Sequence, residues 1–285
     1  MGYEFVDYSE RLLSNSFMRP AVERAIAGMG LPAGARVLDT GCGAGAHFAL
    51  FDRMVEGVRI VGTDLTEGHL EAARGQVARL GLRERVELHE VDLRDPLPFE
   101  EGSFDGIWVA NVISPKTFPQ PSQFVRRLAR LLRPGGVLAI YESYGVRPLF
   151  LPGYPRLEHL IGVARCLSRY APDEGWVPEE HPESSRGWLL AAGLEEVRLE
   201  VHTIKHEAPL PDEVFNYVVN EVLRGYYALA VSAAGRQAGM TADDLELWER
   251  LSAPDGPDCI ARQPGYYCVA TALTAYGRAP RKLAR

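Results

Sequence analysis

The sequence predicts an α/β fold in which a mostly parallel sheet is covered by helices on both faces. Three observations support this prediction: short apolar runs alternate with helical patterns, the loops between them are short, and several runs end in an acidic or amide side chain. Parallel strands produce this alternation because each crossover between them needs a helix that packs back onto the sheet. We therefore expect a doubly wound sheet whose ligand lies at the carboxyl ends of the strands.

The first strand and the loop after it form the most distinctive stretch of the chain. An apolar run over 35–38 leads to Asp39, and Gly41, Gly43 and Gly45 then alternate with small residues before a helical pattern begins. Glycine allows a positive φ and lets a ligand approach the main chain closely. A strand, a glycine turn and a helix N-terminus in this order are typical of a binding site for a polar ligand.

Three ligand classes compete for this loop. A Walker phosphate loop needs Gly-x-x-x-x-Gly-Lys-Ser/Thr, and it is excluded because no lysine occurs in the first 64 residues. The dinucleotide fingerprint Gly-x-Gly-x-x-Gly/Ala is formally matched by Gly41, Gly43 and Ala46. The Asp-x-Gly-x-Gly-x-Gly loop of S-adenosylmethionine (SAM) methyltransferases is matched at every position by Asp39 and the three glycines. The loop alone does not decide between the last two classes.

The next two strands are also followed by acids. The apolar run over 58–63 ends at Asp64, roughly 20 residues beyond the loop, where a doubly wound fold places a carboxylate on ribose hydroxyls. Residues 86–91 alternate as a third strand, and Asp92 follows them. Because parallel strands end at the same edge of a sheet, these acids are expected to lie near the glycine loop.

A helical pattern separates these two strands and ends at Gly81. Thr66 directly precedes it, so we predict that the threonine side chain caps this helix. His69 lies in its first turn and is predicted to face solvent.

Two further strands complete the parallel part of the sheet. The fourth is predicted over 104–110 and ends at Asn111, and the fifth is predicted over 137–141 and ends at Glu142. A helix over 122–131 connects them. The chain therefore continues the alternation that defines the fold class.

Composition excludes several classes of function. The net charge is −7, and broad nucleic-acid binding is not expected because it rests on basic surface. The four cysteines show no Cys-x-x-Cys pair and no histidine at zinc spacing, so we expect reduced thiols, a cytoplasmic protein and no metal site. The first residues lack the pattern of a secretion signal, and no apolar run approaches the ~20 residues of a membrane span.

At this point the chain resembles the class I SAM-dependent methyltransferases, of the type found in ubiquinone and menaquinone biosynthesis. The resemblance covers about residues 35–142. It rests on segments that occur in the family's order: Asp39-x-Gly41-x-Gly43-x-Gly45, Asp64, Asp92-Leu93, Leu97-Pro98-Phe99, Ser103-Phe104-Asp105 and Leu132-Arg133-Pro134-Gly135-Gly136. NAD enzymes do not combine these later segments at this spacing. The resemblance implies a Rossmann-like, seven-stranded mixed sheet in which the last strand is antiparallel.

The resemblance also implies which residues bind the cofactor SAM. The glycine loop would lie against the methionine part, with Asp39 near its amino group and Asn111 near the transferred methyl. Asp64 would take the ribose hydroxyls, while Asp92 and the N–H of the residue after it would contact the adenine. The implied cofactor-binding residues are Asp39, Gly41, Cys42, Gly43, Asp64, Leu65, Asp92, Leu93 and Asn111. Asp105 is predicted to be structural.

The remainder of the chain is predicted to add insertions to this core. Helices are predicted over 157–167, 184–192, 211–238 and 241–251, and the sixth and seventh strands over 197–206 and 266–276. We expect an N-terminal helical flap (1–30), a SAM-binding core (31–145, continued at 183–206), a cap insertion (146–182), a helical cap or dimerisation insertion (207–262), and a last strand with its tail (263–285). An insertion that leaves the carboxyl end of a parallel strand rises on the ligand side, which favours a cap over a homodimer contact.

We therefore expect a SAM-dependent methyltransferase that acts on a small-molecule acceptor at oxygen, nitrogen or carbon in an enclosed pocket. The sulfonium methyl is already electrophilic, so the protein must hold the acceptor in line behind the methyl and exclude water. Three alternatives stay open: a SAM-binding scaffold without chemistry, an NAD(P)-binding oxidoreductase, and an enzyme of the same fold that uses SAM for chemistry other than methyl transfer.

Candidate bases for the acceptor are Glu142 and Tyr144, which follow the fifth strand on the ligand side, and His206, at the root of the predicted cap. Residues 111–119 depart from the family's pattern beside the expected acceptor site. No acceptor can therefore be carried over from the family.

Overall fold

The computed structural model describes residues 16–114, 117–143, 148–169 and 181–281. These residues form a seven-stranded sheet with the order β3-β2-β1-β4-β5-β7-β6. The strands are β1 (Arg36–Thr40), β2 (Arg59–Asp64), β3 (Val86–Glu90), β4 (Phe104–Ala110), β5 (Leu132–Glu142), β6 (Glu195–Glu207) and β7 (Tyr267–Arg278). Only β7 runs antiparallel to its neighbours, which confirms the predicted fold class.

The helices lie where the period of the apolar residues places them. They are α1 (Arg19–Gly28), α2 (Phe48–Met54), α3 (Glu67–Leu80), α4 (Pro121–Leu131), α5 (Pro155–Arg169), α6 (Ser185–Ala191), α7 (Asp212–Asn216), α8 (Ala228–Ala234) and α9 (Ala242–Ser252). A π-helical segment (Tyr217–Tyr227) joins α7 to α8, so the helix predicted over 211–238 changes its hydrogen-bond pattern inside. Two short 3₁₀ turns are Pro182–Ser184 and Ile260–Arg262.

The central strands are buried on both faces because helices cover both sides of the sheet. Adjacent residues of a strand point to opposite faces, and Trp108 and Ile107 on β4 accordingly belong to different hydrophobic clusters. Trp108 packs with residues of α1 and α2, whereas Ile107 packs with residues of α4 and α6. The sheet therefore holds two apolar layers together and fixes the positions of its strand ends.

β5 is longer than predicted and begins at Leu132 rather than at Val137. Leu132 pairs with Phe104, and the register then shifts before Gly106 pairs with Val137. The intervening segment with Pro134 was not included in the predicted strand. The strand continues through this segment because the shift in register, a β-bulge or similar irregularity, accommodates the extra residues.

The predicted side-chain cap of α3 is wrong. Thr66 occupies the N-cap position, but its side chain makes no capping hydrogen bond. Instead, Asp64 Oδ1 accepts the Thr66 N–H at 3.0 Å. This contact holds the N-cap residue itself, and the N–H of His69 is accepted by the main-chain oxygen of Thr66.

The remaining helices form a second layer beside the sheet, which we call the cap helices: α5, α7, the π-helical segment, α8 and α9. α5 packs against α8, and the π-helical segment packs against α9. Apolar residues of the cap helices, such as Ile161 and Leu223, join the same cluster as Trp108 of the sheet. The layer is therefore packed on the core through a continuous apolar contact. No helix in the described ranges has both the length and the apolar character of a bilayer span.

Candidate functional site

Two adjoining cavities lie near the carboxyl ends of the central strands. The loop cavity, about 670 Å³, is lined by the glycine loop, the ends of β2 and β4, and α1. The cap cavity, about 450 Å³, lies between the cap helices and the beginning of β7. Met18, Ser143 and Tyr226 line both cavities, so the two spaces share a wall.

The glycine loop has a backbone conformation that requires glycine. Gly41, Gly43 and Gly45 have φ values of 64°, 54° and 77°, in the left-handed region. A Cβ on Gly41 would lie 2.7 Å from a methyl carbon of Val112, and a Cβ on Gly45 would lie 2.5 Å from the ring of Phe48. The loop is therefore closely packed from behind, and its open side lines the loop cavity.

Asp64 holds this loop in place. Its Oδ2 accepts the N–H of Gly43 at 2.9 Å, and its Oδ1 accepts the N–H of Thr66. His69 Nδ1 lies 3.1 Å from the same Oδ1, and its side chain is mostly buried, so the prediction that His69 faces solvent is wrong. A carboxylate has about four acceptor positions, and Asp64 therefore retains capacity for hydroxyl groups of a ligand.

Asp39, at the end of β1, is a buried carboxyl next to the loop. Only 1% of its surface is exposed, and its Oδ2 has no hydrogen-bond partner among the described residues. Burial and the nearby charge of Asp64 raise the pKa of Asp39 to about 8. Burial also raises the pKa of the neighbouring Cys42 thiol. A cation bound beside Asp39 would satisfy its unpaired oxygen.

His47 lines the loop cavity and was missed by sequence reasoning. The indole N–H of Trp108 donates to His47 Nδ1 at 3.1 Å, which assigns the proton of the neutral ring to Nε2. Burial lowers the pKa of His47 to about 4, so the ring stays neutral at physiological pH. The hydrogen bond from Trp108 thus fixes the tautomer of His47 and leaves its Nε2–H as a donor. The sequence could have indicated this residue, because His47 follows directly after the glycine loop.

Two arginines stand at the rim of the loop cavity. Arg19 and Arg53 both line it, and both contact the same oxygen of Glu23, at 2.9 and 2.5 Å. Glu213 also lines this cavity, so the rim carries charges of both signs. The two guanidinium groups suit an anionic group of a ligand.

Asn111 connects the ends of β4 and β5. It has a φ of 55°, and its Oδ1 accepts both the N–H and the hydroxyl of Ser143 at 2.8 Å. Both residues line the loop cavity. Glu142, between Tyr141 and Ser143 in the chain, is 4% exposed and lines neither cavity, so its role as a base remains a prediction.

The structure separates the residues expected at the adenine end from the loop cavity. Asp92 and Leu93 do not line it. The carboxylate of Asp92 pairs with Arg94, with Oδ2 2.5 Å from Nη2, and this contact lowers the pKa of Asp92. Leu65 is 39% exposed and lines neither cavity. Their roles in cofactor binding remain predictions.

The candidate base His206 lies apart from the shared wall. His206 Nε2 is 3.3 Å from the carbonyl oxygen of Phe17, and the two rings are in contact. His206 lines neither cavity, although Phe17 lines the cap cavity. Tyr144 lies outside the described residues. Asp105, by contrast, has a structural role, because it accepts the N–H of Arg36 and pairs with Arg133.

The cap cavity has a different chemical character. Aromatic side chains, including Phe150, Tyr217 and Tyr227, supply much of its surface. Arg165 is the one charged residue among the described residues that line it. Cavities of this size and composition are typical of sites for small organic ligands. Among the described residues, no group of three His, Cys, Asp or Glu side chains could hold a metal ion.

Comparison with known proteins identifies the family. A family model described as a methyltransferase domain matches residues 37–136. The demethylmenaquinone methyltransferase of Clavibacter sepedonicus is 32% identical over 205 residues, which cover 67% of this chain and 78% of that protein. The erythromycin 3''-O-methyltransferase of Saccharopolyspora erythraea is 30% identical over 251 residues, covering 83% of this chain and 74% of that protein.

A solved structure supports the fold. The YcgJ protein from Bacillus subtilis superposes with a TM-score of 0.53 at 18% identity, covering 92% of this chain and 99% of that chain. The glycine loop, the strand-end acids and the sheet order thus define a methyl-transferring enzyme that uses SAM. The chain belongs to the class I SAM-dependent methyltransferases.

Proposed function

We propose that this enzyme transfers the methyl group of SAM to a small-molecule acceptor, with SAM in the loop cavity and the acceptor in the cap cavity. The observation that carries the proposal is the wall of Met18, Ser143 and Tyr226 that the cavities share. Ligands in the two cavities would meet across these three side chains. Two relatives are named for small molecules, demethylmenaquinone and erythromycin, which supports the same class of acceptor.

The methionine part of SAM is proposed to lie on the glycine loop. Its ammonium would satisfy the buried oxygen of Asp39, directly or through water, and its carboxylate would meet the guanidinium groups of Arg19 and Arg53. Asp64 would accept the ribose hydroxyls while it continues to hold Gly43. In these assignments each charged group of the cofactor meets a side chain of opposite charge.

Bound SAM supplies a methyl group on a positively charged sulfur. The methyl would pass to an electron pair of the acceptor, and the electrons of the broken carbon–sulfur bond would remain on sulfur, which leaves as S-adenosylhomocysteine. The wall of Met18, Ser143 and Tyr226 would set the approach of the two ligands and keep water away from the methyl. An acceptor hydroxyl, amine or carbon acid also loses a proton, and the proposed base is the buried Glu142, next to Ser143 in the chain.

The cap helices are proposed to enclose the acceptor. Their aromatic side chains form the wall opposite the beginning of β7, where Ala270 and Thr271 lie. A homodimer built on residues 207–262 is the alternative role of this insertion. Measurement of the mass in solution by light scattering would separate the two, because a monomer that methylates its acceptor needs only the enclosing role.

The test of the proposal combines binding and turnover. Isothermal titration should show SAM and S-adenosylhomocysteine binding at micromolar strength and no heat with NAD. Incubation with radiolabelled SAM and pools of small-molecule acceptors should transfer label to at least one pool. Binding without transfer to any pool would favour a scaffold, whereas binding of NAD instead of SAM would contradict the proposal outright.

A further inference from the structure

Among the described residues that line the cap cavity, one side chain carries a charge. Arg165 lies on α5, and its guanidinium carbon is 5.4 Å from the centre of the Tyr227 ring. Both residues line the cavity. Among the described residues, no Asp or Glu forms an ion pair with Arg165. A partly buried guanidinium on a mostly apolar wall is a suitable partner for an anionic group of a ligand.

The nearest acid along this helix acts on that charge without forming an ion pair with it. Glu158 precedes Arg165 by about two helical turns, and the positive charge of Arg165 favours the ionised form of Glu158. The Glu158 Oε1 accepts the N–H of Phe150 at 2.6 Å, and its Oε2 accepts the N–H of Leu151 at 3.0 Å. Backbone amides thus hold both oxygens of this carboxylate, and the guanidinium, which also hydrogen-bonds Tyr227, keeps further donors for a ligand.

Arg165 stands away from the place where methyl transfer would occur. It lines the cap cavity but not the loop cavity, whereas Met18, Ser143 and Tyr226 line both. An acceptor in the cap cavity would therefore have two distinct ends. One end meets the shared wall, and the other meets the guanidinium.

We infer that the acceptor is an apolar organic anion: a largely hydrocarbon or aromatic molecule whose carboxylate, sulfonate or phosphate group pairs with Arg165. Its methyl-accepting atom lies at the other end, against the shared wall. This inference rests on the proposed function, because it assigns the cap cavity to the acceptor. The tyrosine beneath the guanidinium holds it in place, which reduces the entropy lost when an anion binds.

A pair of fluorescent probes tests the charge separately from the apolar surface. Anilinonaphthalene sulfonate carries an anionic group, and phenylnaphthylamine has the same rings without it. Both are titrated into the full chain saturated with S-adenosylhomocysteine. Arg165→Gln should weaken binding of the sulfonate by roughly tenfold and leave the uncharged probe unchanged. Ala233→Phe, which adds bulk to the cavity lining, should weaken both probes.

Two further variants separate charge from packing. Arg236→Gln removes an exposed arginine that does not line the cap cavity, and it should change neither probe. Arg165→Lys keeps the charge and should bind the sulfonate more tightly than Arg165→Gln does. Equal losses in the lysine and glutamine variants would assign the effect to packing on Tyr227 and overturn the inference. Sulfonate binding that Arg165→Gln leaves unchanged would overturn it as well.

The result that would contradict the proposed function differs from the results that would contradict the anionic acceptor. If the chain shows no binding of S-adenosylhomocysteine and no transfer of label from SAM, the methylation proposal is lost whatever the probes report. If label is transferred but only to uncharged acceptors, the methylation proposal stands and the anionic acceptor is excluded.

Discussion

The loop cavity and the cap cavity adjoin each other but are built by different means. The loop cavity is shaped by the main chain, through glycines at positive φ and amides that a strand-end carboxylate holds. The cap cavity is shaped by side chains that come from α1, the cap helices and β7. The loop cavity, which the main chain shapes, suits a cofactor that is the same in every turnover. The cap cavity, which side chains shape, can be adapted to a different acceptor by substitution of those side chains.

The largest expected effect on cofactor affinity comes from a glycine-to-alanine substitution in the loop region, and the same substitution in the cap region is its control. Gly41→Ala places a Cβ at positive φ and 2.7 Å from Val112, whereas Gly153→Ala before α5 has the same backbone problem with nothing within 4 Å. We expect Gly41→Ala to lower the affinity for S-adenosylhomocysteine by about a hundredfold, ~2.7 kcal/mol. Gly153→Ala should leave that affinity unchanged and cost only the ~1–2 kcal/mol of a left-handed residue.

Calorimetric titration measures the affinity, and urea unfolding measures the stability of both variants. If Gly41→Ala binds S-adenosylhomocysteine as the parent chain does, the loop does not carry the cofactor, and the contrast between a main-chain and a side-chain cavity fails.

The second prediction concerns the buried carboxyl of the loop region. In the unfolded chain Asp39 ionises near 3.8, and in the folded chain its pKa is about 8, so the folded state binds more protons between these values. Raising the pH through this window therefore lowers the free energy of unfolding, by at most about 1.4 kcal/mol per pH unit. Asp39→Asn cannot titrate, so its stability should depend less on pH from 5 to 8.

The control is Asp255→Asn, since the side chain of Asp255 is 96% exposed. Urea unfolding of the three chains at several pH values gives the comparison. Parallel pH profiles for the parent chain and Asp39→Asn would contradict the assignment of a raised pKa to this carboxyl.

The core could be predicted from sequence because its signals are local. Seven strands, their order of appearance and the acids at their ends follow from short apolar runs and glycines, and Asp39, Asp64 and Asn111 lie at strand ends as expected. The start of β5 was missed, because Pro134 and the glycines after it resemble a turn unless the pairing of Leu132 with Phe104 is known.

The cap region could be predicted only as a set of helices. The π-helical segment was not foreseen, because Val218, Val222 and Leu223 fit an ordinary helical period nearly as well. Tyr226 and Arg165 acquire their positions from which helix faces which, and no local pattern contains that information. The mutual arrangement of distant segments is a property of tertiary packing.

The third prediction concerns Asp64 and the ribose. Because its carboxylate also accepts the N–H groups of Gly43 and Thr66, replacing it disturbs the loop as well as any ligand contact. Comparing two ligands that differ only in the 2′ hydroxyl avoids this ambiguity. The parent chain should bind S-adenosylhomocysteine about tenfold more tightly than its 2′-deoxy analogue, ~1.4 kcal/mol.

In Asp64→Asn this preference for the hydroxyl should shrink, while the exposed control Glu56→Gln should keep it in full. Titration calorimetry gives all six affinities. An undiminished preference in Asp64→Asn would mean that another group contacts the ribose, and Asp64 would then serve the loop alone.

The smallest expected effect lies in the cap region. Thr241 caps α9: its Oγ1 accepts the N–H of Asp244 at 3.2 Å, while the Asp244 carboxylate accepts the N–H of Thr241 at 2.8 Å. Thr241→Ala removes the hydroxyl and should lower the free energy of unfolding by about 1 kcal/mol. Thr241→Ser keeps the hydroxyl and should recover most of that loss.

This variant also tests whether the two cavities are energetically separate. α9 packs against the π-helical segment, and Thr241 lines neither cavity. If the cap helices unfold together with the sheet, urea unfolding of Thr241→Ala stays a single transition that shifts to lower urea, and S-adenosylhomocysteine binds unchanged. A new early transition that leaves cofactor binding intact would show instead that the cap helices open on their own, because the apolar contact with the sheet then contributes less than the cap's internal packing.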